Sequence, residues 1–128
     1  MIALLDTHTL LWSVYNPSRL SQAATALIAD PSNEMQVSAA SAWEIATKVR
    51  IGKMPHAERL ERNFLEAMAQ AGFKLRSISV RDGLMAGRMI GDHKDPFDRM
   101  IAAQALGDDL AVISNDMKLD EFGVRRIW

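Results

Sequence analysis

The sequence predicts an α/β protein in which a mostly parallel sheet is covered on both faces by helices. Three observations carry this. Ile2–Leu5 and Leu110–Ile113 are short, continuously apolar runs, and each meets a polar stop, Asp6 in one case and Ser114-Asn115-Asp116 in the other. Strands buried on both faces read this way. The segments between them carry apolar residues at helical spacing, so strands and helices alternate. Composition is the third: 128 residues, 48% hydrophobic and 24% charged, suit a single domain over 1–128 built on one core.

The elements follow in order. Ile2–Leu5 is the first strand. Asp6-Thr7-His8-Thr9 ends it and caps a helix whose apolar side is Leu10, Leu11, Trp12 and Val14, broken at Asn16-Pro17. Ser21 to Ala29 is a short Ala-rich helix closed by Asp30-Pro31. Met35–Ser38 is a weaker strand. Ser38 or Ser41 caps the next helix, which runs to about Ile51 and stops at Gly52. Ala57 to Ala71 is expected to be one helix, with Leu60, Phe64, Leu65 and Met68 in phase and Gly72 as its stop. Lys74–Ile78 alternates as a strand, and Val80 to Ile90 is helical. Asp95 is a good N-cap with Pro96 at the first helical position, so a helix spans Asp95–Gly107. Leu110–Ile113, a short helix or turn over Met117–Phe122, and a strand within Val124–Trp128 complete the chain.

In open parallel sheets, binding sites form beyond the carboxyl ends of the strands. Asp6 and Asp116 each follow an apolar strand, and Glu44 and Asp98 lie on helices that can border the same edge. Capping accounts for each acid taken singly. Asp6, Asp95 and Asp116 suit N-caps, Ser41-Ala42-Trp43-Glu44 matches a capping box, and acids are favoured near helix N-termini. If the helix begins after Ser38 instead, Glu44 lies in its second turn, aimed back toward the sheet edge. Convergence is what capping leaves out. Four carboxylates within about 4 Å repel by roughly 4 kcal/mol per pair at an effective dielectric near 20. All the pairs together exceed the ~5–15 kcal/mol stability of a small domain. Such a cluster requires a cation or a bound proton. Hard oxygen donors without cysteine point to Mg²⁺ or Mn²⁺, and such an ion suits phosphodiester hydrolysis by an activated water.

Charge and composition restrict the alternatives. A net charge of −1 gives no global signal for nucleic acid, so contacts would come from a local patch. Lys48, Arg50 and Lys53 beyond Glu44, and Lys94 and Arg99 beside Asp98, are the candidates for a basic rim, with Arg99 and Lys48 the nearest to the acids. The chain has no cysteine, which excludes disulfides and thiol chemistry. No apolar run approaches ~20 residues, and Met1–Asp6 lacks a basic region, so a cytoplasmic protein without membrane span or signal peptide is expected. His8 and His93 are expected in structural or supporting hydrogen bonds. Trp12 and Trp43 fall in helical apolar stripes and are expected in the core, although aromatic faces also suit single-stranded RNA. An aspartyl-phosphate enzyme is disfavoured, because it wants a second Asp two residues after Asp6, where His8 stands.

The sequence resembles a PIN-domain protein over its whole length, most of all the toxin branch of VapC-like ribonucleases. The resemblance rests on Leu4-Leu5-Asp6-Thr7-His8, on Ser41-Ala42-Trp43-Glu44-Ile45-Ala46 with Lys48–Lys53, on His93–Arg99 running into Ile101–Ala105, and on Ser114-Asn115-Asp116. It implies a three-layer α/β/α sandwich, Mg²⁺- or Mn²⁺-dependent endoribonuclease activity, a cognate antitoxin partner and a homodimer. By position it assigns Asp6, Glu44, Asp98 and Asp116 to the metal site, and Ser114 to the small hydroxyl residue accompanying the last acid. A non-catalytic binding module of the same fold is the alternative.

Overall fold

The computed structural model describes residues 1–128. Five strands form one sheet in the order β3-β2-β1-β4-β5, and every pairing is parallel. They are β1 (Ile2–Leu5), β2 (Glu34–Ser38), β3 (Lys74–Arg76), β4 (Ala111–Ile113) and β5 (Arg125–Ile127). Seven α-helices flank them: α1 (Thr7–Tyr15), α2 (Gln22–Ala29), α3 (Ala39–Arg50), α4 (Glu58–Arg62), α5 (Phe64–Ala71), α6 (Val80–Arg88) and α7 (Pro96–Gly107). The result is a helix–sheet–helix sandwich around a parallel sheet. No helix is long and apolar enough to cross a membrane.

The alternation of β1 divides the core. Ala3 and Leu5 face one side with Val37, Ile113, Leu10, Leu11, Ile45 and Met68. Leu4 faces the other with Val112, Ile101, Ala102, Ala105 and Leu119. Side chains of a strand alternate between faces, so a strand apolar at every position must be covered twice. The first group packs beneath α1, α2, α3 and α5, the second beneath α7.

Strand order reverses between β1 and β4. From β1 the chain progresses through β2 to β3 on one side, then returns to place β4 and β5 on the other. A crevice opens beyond the strand ends at such a reversal. Asp6 follows β1 there and Ser114 follows β4, in adjacent paired strands with Leu5 opposite Ile113.

Several sequence expectations change in detail. Ser38, not Ser41, caps α3, accepting from the Ala40 N–H at 3.0 Å. Glu44 therefore lies in the second turn and forms no capping box. The one capping box is at α6, between Ser79 and Asp82. The helix expected over Ala57–Ala71 is broken into a 3₁₀ turn at Pro55–Ala57, α4 and α5, with Asn63 between the last two in a non-helical conformation. Gly72 ends α5 at φ +75°, a conformation that glycine adopts without a Cβ penalty. Met117–Phe122 is a 3₁₀ helix. Trp43 is not a core residue: it is 58% exposed and packs edge-on against Phe97 at 4.8 Å.

Candidate functional site

Each acid reaches the crevice from the first turns of an element whose cap holds it there. Asp6 is the N-cap of α1, its Oδ1 accepting from the Thr9 N–H at 3.0 Å. Its backbone N–H continues the sheet to the Ile113 carbonyl at 3.2 Å. The other oxygen, Oδ2, accepts a short hydrogen bond from Ser114 Oγ. That same Ser114 oxygen accepts from the Asp116 N–H at 3.0 Å. Ser114 thus ties the ends of β1 and β4 together and fixes both flanking acids. It is fully buried, so it positions carboxylates and offers no surface to a ligand.

Two threonines, which sequence pattern alone does not mark as site residues, complete this scaffold. Thr9 Oγ1 donates to the Ile113 carbonyl at 2.8 Å, and Thr7 Oγ1 donates to Ser41 Oγ at 2.9 Å. The second bond links the start of α1 to the first turn of α3 and so sets the distance from Asp6 to Glu44. The only sequence signal is the Asp-Thr-x-Thr run directly after a buried strand.

Asp98 and Asp116 come together with His93. One ligand atom from each lies within 4.8 Å of the others. His93 Nε2 is 2.9 Å from Asp98 Oδ2, and the His93 ring packs on Phe122 at 5.7 Å. Asp95 caps α7, accepting from the Phe97 and Asp98 N–H groups at 2.9 and 3.3 Å. Asp6 and Glu44 are set further back. The four acids are therefore not all within the spacing expected from sequence, and their mutual repulsion is smaller than that spacing implies.

Glu44 is buried. Its Oε2 is paired with the Lys48 ammonium one turn along α3, which removes Lys48 from the expected basic rim. Its Oε1 is buried with no hydrogen-bond partner. A buried carboxylate oxygen left without a partner costs free energy on the order of 1–3 kcal/mol or more, and a cation in the crevice would remove that cost.

The electrostatics agree. Burial pushes the Asp98 carboxyl up to about 6; the His93 hydrogen bond opposes this, and the charges of Asp95, Asp6 and Glu44 add to it. Burial also raises Asp6, against the hydrogen bonds of Ser114 and Thr9 and the nearby His8. Two carboxyls that resist ionisation, beside an unsatisfied third and a half-buried fourth, form a donor set suited to a hard divalent ion.

Arg99 does not join this group. Its Nε donates to the Ala86 carbonyl and its Nη1 to the His93 carbonyl, both at 3.0 Å, while Nη2 donates to the Met89 carbonyl. The guanidinium also lies 5.6 Å from the centroid of the Phe122 ring. It is a clamp on the segment joining α6 to α7. Lys94 and Arg50 remain on the surface, and Lys53 lines a different cleft.

Replacing Ser114 by Ala removes the donor to Asp6 without adding volume. Outer-shell partners of metal-holding carboxylates typically contribute 10–100-fold to affinity. Mn²⁺ affinity measured by calorimetry is expected to fall by roughly that factor, with the far-ultraviolet circular dichroism unchanged. Unchanged affinity would show that the Ser114 bond is irrelevant to the crevice.

Comparison with known proteins adds the following. A PIN-domain family model matches residues 3–124. The sequence matches none of the curated proteins. Among solved structures, the DNA-bound VapBC from Salmonella typhimurium aligns with a TM-score of 0.70 at 19% identity, over 99% of this chain and 98% of that one. VapBC2 from Rickettsia felis, bound to a promoter DNA fragment, aligns at 0.68 and 15%, over 100% and 99%. VapBC-5 from Mycobacterium tuberculosis aligns at 0.63 and 18%, over 98% and 95%.

Proposed function

The chain belongs to the PIN-domain family, and on that premise we propose that it is a Mg²⁺- or Mn²⁺-dependent endoribonuclease, the toxin of a toxin–antitoxin pair. The observation that carries the metal-dependent reading is the unpartnered buried Oε1 of Glu44, in the same crevice as an Asp98 carboxyl held near 6. The toxin reading is supported by fold relatives that are named as toxin–antitoxin complexes.

In this reading Asp6, Glu44, Asp98 and Asp116 hold the cation. When bound, the ion polarises a phosphate oxygen and lowers the pKa of the attacking water. The rest falls to the chain itself. Ser114 fixes Asp6 and the backbone of Asp116. His93 holds one Asp98 oxygen, and Lys48 pairs with one oxygen of Glu44, leaving the other without a protein partner. Asp98 must give up its proton before it can hold a cation, so metal uptake releases protons and strengthens as pH rises through about 6.

A cognate antitoxin and a homodimer belong to the same proposal. Val80 and Ile90, 82% and 94% exposed, lie on and just after α6, with Leu84 exposed between them. Exposed apolar residues grouped in this way mark interaction surfaces. The expected compartment is the cytoplasm.

The test is cleavage of a mixed pool of structured RNAs, including tRNA and rRNA, by protein freed of any co-purified partner. Cleavage is expected with Mg²⁺ or Mn²⁺ and is expected to stop in EDTA. Folded protein that cuts nothing with either metal would instead favour a non-catalytic RNA- or protein-binding module.

A further inference from the structure

A cleft outside the acidic crevice runs along α1 and has a volume of about 630 Å³. Its walls include His8, Trp12, Tyr15, Arg19, Lys53 and His56, and no carboxylate lines it. Neither Arg19 nor Lys53 has an acidic partner anywhere in the molecule. In a chain of net charge −1, four cationic or titratable basic groups around one cleft with no acid among them form a local positive site. General electrostatics assigns such a site to an anionic ligand.

The aromatic groups narrow the class. The Arg19 guanidinium lies over the Trp12 ring, 4.9 Å from its centroid. Tyr15 meets His56 edge-on at 6.4 Å and is nearly half-exposed. Nucleic-acid bases stack on aromatic rings and on guanidinium planes, while cationic side chains track the phosphates between them. A cleft for a bare anion needs no such flat surfaces.

Position points the same way. His8 opens the cleft and lies two residues past Asp6. From His8 to Tyr15 the wall extends about 10 Å along the helix, at ~1.5 Å per residue. The cleft thus begins at the same end of α1 that Asp6 caps.

We infer that this cleft is a binding subsite for single-stranded RNA, placing a base against Tyr15 and the Arg19–Trp12 stack and its phosphates on Arg19 and Lys53. The strand then leaves the acidic crevice past His8. The inference deepens the nuclease reading above and takes the identity of the strand from it.

The test measures binding without catalysis. A fluorescein-labelled eight-nucleotide single-stranded RNA of mixed sequence is titrated with the protein in EDTA, and anisotropy is followed at several salt concentrations. Arg19 and Lys53 are both exposed, so Arg19→Glu combined with Lys53→Glu leaves the fold intact. The double variant is expected to bind roughly 10- to 100-fold more weakly, and the slope of log affinity on log salt falls by about 0.7 for each phosphate that is no longer neutralised. Trp12→Leu weakens binding by about 5-fold or more, and Lys74→Glu, exposed on the edge strand β3, binds as the parent does. Affinity of the double variant within twofold of the parent would overturn the subsite while leaving metal-dependent cleavage untouched as a separate result. A fluorescein-labelled polyglutamate peptide that binds the parent and not the double variant, while RNA does not bind, would overturn it in favour of an acidic protein segment. Absence of both RNA binding and RNA cleavage would remove the nuclease reading and this inference together.

Discussion

Asp98→Asn is expected to lower metal-dependent RNA cleavage by roughly 10²- to 10⁴-fold, the several kcal/mol attributed to metal-ion charge stabilisation, while the protein folds as before or more stably. Asn keeps the volume and can still meet His93, but it supplies no charge to a cation. The effect on stability follows from the raised carboxyl. The folded-state value is about 6 against an ordinary 3.8, so between these values the folded state binds more protons than the unfolded one. Stability therefore falls as pH rises from about 4 to about 6, and the deficit persists above that window, at most about 3 kcal/mol. Urea denaturation in EDTA at pH 4.5 and 7 is expected to show this slope in the parent and to lose most of it in Asp98→Asn. Added Mn²⁺ at neutral pH should then stabilise the parent by mass action and the variant far less. Full activity in the variant would refute the assignment of Asp98. A flat pH response in the parent would show that Asp98 is not held protonated.

Arg99→Met is expected to cost about 2–4 kcal/mol, because three carbonyls lose a charged donor at once. Methionine retains most of the stem's packing, so the loss reports the hydrogen bonds to Ala86, Met89 and His93 and the approach to Phe122. Arg99→Lys should recover less than half of it, since an ammonium cannot reproduce the planar fork that serves three acceptors. The measurement is the urea midpoint at constant m-value. Activity is expected to fall as well, because the residues released include His93, which holds Asp98. A loss under about 1 kcal/mol, within the range of a single ordinary hydrogen bond, would mean that the segment between α6 and α7 is held by other interactions.

The contrast between these two neighbours shows where sequence reading succeeds and where it stops. Asp98 is legible because Asp95-Pro96 marks a helix start and places an acid in the first turn. That Arg99 points the other way depends on where α6 packs, about which local spacing says nothing. β1 and β4 are legible as unbroken apolar runs before an acid. Glu44 is ambiguous until the cap is known, since one Ser three residues earlier in the chain moves it from a capping position into the crevice. The break at Asn63 escapes sequence reading because Leu60, Phe64 and Met68 keep helical phase across it. Phase does not register that the Asn63 side-chain amide donates back to the Arg59 carbonyl at 3.2 Å. Trp43 misleads for a related reason. Its apolar neighbours in sequence are not its neighbours in space, and its partner is Phe97 on another helix.

The bond from Ser114 to Asp6 spans 108 residues, and β4 joins the sheet beside a strand made at the other end of the chain. During synthesis β1 emerges first and waits with one edge unpaired until residues 111–113 are available. Open edges of this kind are sites of misassembly. The acids at 6, 44 and 98 are all present by then, yet nothing aligns Asp6 with Asp116 before β4 pairs with β1. A chain made to residue 110 thus carries three of the four carboxylates without the strand that brings Asp116 to Asp6. The crevice comes into being in a late step, when β4 joins β1.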